Sequence, residues 1–134
     1  HRKNIYWRKG FKVIIEENGY ISIGDNCLFN YNCSLTSLGK IEIGDHTIFG
    51  ESVKIYDHNH HFNKKNTNVS EQGMSIGEVK IGRNCWIGSN VVILKDSIIG
   101  NNCVIGAGCV VSGNIPDGML MRTNKEKLEK IHFK

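Results

Sequence analysis

Proline occurs once in these 134 residues, at Pro116. With charged residues at only 22%, disorder is not the default state of the chain. Long apolar runs are missing, which excludes a membrane-spanning helix. No secretory signal segment is legible. Neither a GxxxxGK phosphate loop nor a GxGxxG turn after a strand occurs. The mixture of basic patches and aromatics that marks nucleic-acid binding is also absent, so no nucleic-acid partner is expected. None of the five cysteines forms a CxxC pair, and their odd number in a chain without a signal argues for a reducing, cytoplasmic setting.

What is present is a short period. From Ile81 to Pro116 the chain reads as six blocks: IGRNCW, IGSNVV, ILKDSI, IGNNCV, IGAGCV and VSGNIP. Each opens with Ile or Val and carries a small or aliphatic residue fifth. Residues two apart in a strand share a face, so positions one and five need a turn between them to point the same way. Gly, Asn and Asp at positions two to four supply it. Each block is then a short strand and a corner, and three blocks close a triangular coil. The expected fold class is all-β, a parallel β-helix with openers and fifth residues inside.

The same phase runs through Ile23, Phe29 and Leu35 and through Ile43, Phe49 and Ile55. Between Leu35 and Ile43 one corner carries two extra residues near Ser37–Lys40. Past Ile55 the pattern lapses into a polar insertion, NHHFNKKNTNVSEQGMS, a length expected of a functional loop. Val13–Ile15 and Ile21–Ile23 read as strands of a first, less regular coil. The expected layout is one domain over 1–134: lead-in 1–20, first coils 21–58, inserted loop 59–76, further coils 77–116 and tail 117–134. In the tail, Leu128 and Ile131 share one face of what reads as a short solvated helix.

Cys27, Cys33, Cys85, Cys103 and Cys109 all fall at the fifth position, as do Thr47, Val53 and Val91, so they read as small wall residues. The histidines hold more chemical interest. Three of six lie in Tyr56-Asp57-His58-Asn59-His60-His61, where the repeat breaks. A metal site, plain surface histidines and a catalytic base are the three readings. Adjacent His60 and His61 are poorly arranged for one ion, and no H-x4-H pair occurs, so no metal is expected. A histidine at a coil corner under a loop suits proton abstraction from a hydroxyl. The net charge of +4 comes from basic residues clustered at both ends. They read as solvated termini or as contacts for an anionic cofactor or an acidic membrane surface.

Three stretches carry a resemblance: DHNH at 57–60 followed by a loop, NCWIGSNVVIL at 84–94, and IGNNCVIGAGCVVSGNIPDG at 99–118. With them the chain resembles the hexapeptide-repeat acyltransferases, which have a left-handed parallel β-helix. It looks closest to the branch of galactoside and maltose acetyltransferases and the O-acetyltransferases of capsule and lipopolysaccharide sugars. The resemblance implies transfer of an acetyl group from acetyl-CoA to a sugar hydroxyl in cell-surface polysaccharide synthesis. Alternatives on the same fold are N-acetylation of an amino-sugar nucleotide and a scaffold without chemistry.

Residue by residue, the resemblance makes His58 the general base. It puts Asn30 and Asp57 on the acceptor side, and leaves either Asp57 or a backbone carbonyl to hold the imidazole tautomer. Ser89 and Ala107 match backbone contacts to the pantetheine arm, and Ser112 matches a hydroxyl near the cofactor. Trp86 matches a recurrent tryptophan, too large for the interior and so near the groove or a subunit contact. The family's usual lysine is Gly113 here, and its GxPAKxI segment is replaced by MLMRTNKEKLEKI. Arg122, Lys125 or Lys127 are then the alternative contacts for the CoA phosphates. A homotrimer with shared sites is implied as well.

Overall fold

A computed structural model describes residues 4–123 and 128–132. Three parallel sheets form the faces of a prism, and the chain visits them in turn. The first face stacks Ile5–Trp7, Cys27–Phe29, Ile48–Phe49, Trp86–Ile87, Val104–Ile105 and Met119–Met121. The second stacks Lys12–Ile15, Ser34–Ser37, Lys54–Tyr56, Val92–Ile93 and Val110–Val111. The third stacks Tyr20–Ile23, Lys40–Ile43, Glu78–Ile81, Ile98–Ile99 and Asn114–Ile115. Among the described residues no helix is long and apolar enough to cross a membrane.

Block openers form inward columns, because parallel pairing sets like positions over one another. On the second face Leu35, Ile55, Ile93 and Val111 are all fully buried. The first-face column begins with stacked aromatic rings. The Phe29 ring centroid lies 4.5 Å from those of both Phe11 and Phe49, the latter pair stacked nearly parallel at 7°. The fourth position of the blocks adopts the left-handed conformation, with Asn84, Asn90, Asp96 and Asn102 at φ between 52 and 64°. Asn and Asp tolerate this region better than other non-glycine residues. The second position is glycine for a different reason. A Cβ on Gly88 would sit 2.6 Å from the Ala107 backbone nitrogen of the next coil.

All five cysteines are buried and free. Their thiols point along the stack at backbone carbonyls: Cys27 to Gly44 at 3.2 Å, Cys33 to Gly50 at 3.0 Å, Cys85 to Gly100 and Cys103 to Pro116 at 3.1 Å. Thr47, also fifth in its block, donates to the Gly82 carbonyl at 2.8 Å in the same way.

Three expectations need correction. In the block VSGNIP, Ile115 pairs with Ile99, so it stands in the opener column, not at a fifth position. Gly113, at φ 90°, makes the tighter turn that this shortening requires. The tail is not helical where described, since Leu128–Lys130 is a strand antiparallel to Met119–Met121. The edge of the first face offered unpaired backbone groups, and pairing there outweighs the helical spacing of Leu128 and Ile131. Lys125 and Lys127 lie outside the described residues. Finally, the inserted segment is not wholly loop: His58–His60 runs antiparallel to Met74–Ile76, giving an arm with a stranded base.

Candidate active site

The arm leaves the prism at the corner between the second and third faces. Its base is closed by the Gly77 N–H, which donates to the Asp57 carbonyl at 2.8 Å. Farther out, Gln72 braces it, accepting from the Lys64 N–H at 3.0 Å and donating to the Thr67 carbonyl at 2.9 Å. Lys95, on the corner of the next coil, donates to the Ser75 hydroxyl at 2.6 Å.

Asp57 and His58 occupy the corner itself. Asp57 is fully buried. Its Oδ2 accepts from the Ser37 hydroxyl at 2.6 Å and the Gly39 N–H at 3.0 Å, and its Oδ1 from the Leu38 N–H at 2.9 Å. The His58 Nδ1 lies 2.9 Å from Oδ1. Burial pushes the Asp57 carboxyl up, but hydrogen bonds from Ser37, Leu38, His58 and Gly39 outweigh it and hold the group below the usual carboxylate range. An ionised carboxylate can only accept, so Nδ1 carries the proton and Nε2 of the neutral ring keeps its lone pair. Such an imidazole is set up to remove a proton at Nε2. The Tyr56 ring meets it edge-on, 6.2 Å between centroids.

Asp57 therefore presents no surface to an acceptor, and the expected acceptor contact at this residue is replaced by a place behind the imidazole. The His58 side chain is 13% exposed, whereas His60 and His61 lie open on the arm. Among the described residues no cluster of three or more His, Cys, Asp or Glu side chains is placed to hold a metal ion. Beside the corner, Tyr20, Gly39, Lys40, Ile76, Gly77 and Glu78 line an open cleft of about 510 Å³.

The remaining expected residues divide between two edges of the prism. Ser112 is exposed at the same edge as His58. Asn30, Ser89 and Ala107 lie at the edge between the first and second faces. Asn30 Oδ1 accepts from the Tyr31 N–H at 2.9 Å, and Ser89 Oγ accepts from the Glu51 N–H at 3.1 Å. The Ser89 carbonyl accepts from the Gly108 N–H, and Ala107 is exposed beside it. Trp86 projects outward, 57% exposed, just before that edge. It sits in an outward ladder of Tyr6, Leu28, Ile48, Trp86, Val104 and Leu120 on the first face. Arg122 lies 3.7 Å from Glu129 in an exposed pair.

Sequence reasoning missed Ser37, Leu38 and Gly39 as partners of Asp57. Their signal was present as the two extra residues of that corner.

The family model for the bacterial transferase hexapeptide, six repeats long, matches residues 78–113. Nodulation protein L of Rhizobium meliloti strain 1021 is 42% identical over 99 residues, 73% of this chain and 52% of that protein. A maltose O-acetyltransferase from Clostridium difficile 630 superposes with a TM-score of 0.83 at 31% identity, covering 98% of this chain and 68% of that one. A galactoside acetyltransferase solved in complex with coenzyme A gives a TM-score of 0.74 at 29% identity, over 90% and 64% of the two chains. The chain spans about two fifths to three fifths of the length of the curated relatives it matches.

Proposed function

Because the chain belongs to the hexapeptide-repeat transferases, we propose that it is an acetyl-CoA-dependent O-acetyltransferase acting on a sugar. The observation that carries this is the Asp57–His58 pair at the foot of the arm. In the proposed reaction the sugar hydroxyl enters from the side of the cleft. His58 Nε2 takes its proton as the hydroxyl oxygen attacks the thioester carbonyl of acetyl-CoA. The new ester bond forms, the C–S bond breaks, and CoA leaves as the thiolate. Asp57 stays ionised and faces the imidazolium, holding the ring in place. The names of the maltose and galactoside enzymes support a sugar acceptor. The galactoside enzyme's bound coenzyme A supports the donor. We place the acceptor among precursors of cell-surface polysaccharide, on the resemblance of the three motif stretches, and the enzyme in the cytoplasm with its acetyl-CoA.

The working unit is a homotrimer in this reading. His58 and Ser112 lie at one edge of the prism, while Asn30, Ser89 and Ala107 lie at another, with the second face between them. A site that joins them draws on the neighbouring copy, and the apolar ladder through Trp86 offers a surface for that copy to cover.

Replacing His58 tests the reading. His58→Ala is expected to lower kcat by about 10²- to 10⁴-fold, with acetyl-CoA binding within a few-fold of the parent. His60→Ala and His61→Ala should change turnover far less. The assay is release of free CoA from acetyl-CoA over a panel of sugars. Turnover of His58→Ala near the parent rate would exclude the mechanism.

A further inference from the structure

Other corners of the stack send backbone N–H groups to carbonyls of neighbouring coils, as Gly44 does to Ile81 and Gly88 to Ile105, or a single N–H to a side-chain oxygen, as Arg83 does to Asn101 and Glu51 to Ser89. The lengthened corner at Ser37–Lys40 does otherwise. Leu38 and Gly39 turn both N–H groups onto the Asp57 carboxylate, and Ser37 adds its hydroxyl. We propose that this corner is a cradle built for Asp57, and that Ser37 is a positioning residue for His58, acting through that carboxylate. The inference rests on the reading of His58 as the base.

Four observations converge on it. Ser37 and Asp57 are both fully buried, so water does not compete for the bond between them. The Ser37 oxygen also accepts from the Tyr20 N–H at 3.2 Å, and of the two acceptors within its reach the Asp57 carboxylate at 2.6 Å is nearer and charged, the Tyr20 carbonyl at 3.2 Å farther and neutral, so the proton goes to Asp57. Corner carboxylates elsewhere are different: Asp45 and Asp117 accept backbone N–H groups at exposed corners, from Asp25 and Asn101. Gly39, finally, has no room for a side chain, since a Cβ would run into the Gly77 carbonyl and the Ile76 side chain. The return strand of the arm thus crosses directly over the cradle and presses the two together.

The chemical consequence is directional. With three donors from the preceding coil fixed on Asp57, the carboxylate has one orientation in which to receive Nδ1–H. Nε2 then points one way, toward the acceptor. Without the Ser37 hydroxyl the carboxylate keeps its charge but gains freedom to rotate, and the tautomer and direction of the ring become less defined.

The test combines spectroscopy with rates. In ¹⁵N-labelled parent protein, the neutral form of the His58 ring, reached by raising the pH and assigned by its loss in His58→Ala, should show a protonated Nδ1 and an unprotonated Nε2. Ser37→Ala should mix the two tautomers and lower kcat about tenfold, in line with loss of one hydrogen bond to a charged group. KM for acetyl-CoA should hold within twofold. Ser37→Thr, which restores the hydroxyl, should recover both signals, and in a His58→Ala background Ser37→Ala should lower the residual rate no further. Two results would overturn the proposal: an unchanged tautomer and rate in Ser37→Ala, or an equal loss with and without His58. If neither Ser37 variant folds, the parent spectrum decides, and an Nε2-protonated ring would sink the idea. A Ser37-dependent tautomer with turnover retained in His58→Ala would instead remove the proposed function and leave the cradle standing.

Discussion

Lys95 reaches across from one coil to the Ser75 hydroxyl on the return strand of the arm, 2.6 Å away, with its side chain 21% exposed. The neighbouring carboxylate of Asp96 is 3.6 Å from the same ammonium but mostly exposed, so it contributes little. Lys95 is therefore a clamp on the arm. Because Ser75 pairs with Asn59, next to His58, loosening the clamp reaches His58 directly. Lys95→Met should weaken docking of the arm by about 1–2 kcal/mol, the scale of one charge-assisted hydrogen bond. Hydrogen exchange should speed up within residues 59–76 and leave the coils unchanged. Equal exchange in mutant and parent would show that the arm is held elsewhere.

The cysteines make a second expectation. Burial pushes the thiols of Cys27, Cys33, Cys85 and Cys109 up, so thiolate is scarce near neutral pH as well as shielded. All five should label slowly in the native protein and fast in denaturant. Cys85→Asp or Cys103→Asp should prevent folding by burying an unpaired charge, whereas Cys→Ala or Cys→Val should be mild, about 1–2 kcal/mol. Rapid native labelling of more than one thiol would contradict the inward register.

For Asp57 the sign of the pH dependence follows from its lowered pKa. A carboxyl that ionises more readily folded than unfolded stabilises the fold fully above its ordinary value, about 4. That contribution disappears as pH falls through the lowered folded value. The melting-temperature gap between the parent and Asp57→Asn should thus be constant down to about pH 5 and close below about pH 4. A gap that widened in acid would mean Asp57 is buried uncharged.

Oligomerisation gives a fourth. Sedimentation of the parent should give a trimer. Trp86→Glu, placing charge in the middle of the outward apolar ladder, should yield folded monomers by circular dichroism and lose activity. A stable, active parent monomer would remove the shared-site account without touching the β-helix.

The columns of the prism were readable because Ile87, Ile93 and Ile99 recur with a fixed period, and strand alternation leaves few ways to honour it. The end of the array was not. Ile115 suits an opener and a fifth position equally, since both point inward, and only its pairing with Ile99 distinguishes them. Leu128 was misread because a local spacing cannot reveal the unpaired strand edge waiting at Met119–Met121. At the site, the histidine cluster stood out where the repeat breaks, and it was the family resemblance that singled out His58 within it. The partners of Asp57 did not, because Ser37, Leu38 and Gly39 belong to the preceding coil, and contact across coils depends on stacking register.

The strands on either side of the arm pair as though it were not there: Ile43 lies against Ile81, and Lys54 against Val92. An excursion that begins and ends at one corner leaves no trace in the ladder of hydrogen bonds. The arm can therefore lengthen, shorten or change sequence over generations with little effect on the folding of the prism, provided Gly77 still returns to Asp57. The sequence of the arm and the integrity of the scaffold become separately adjustable traits, and a lineage can exchange one arm for another while inheriting the same three-sided frame.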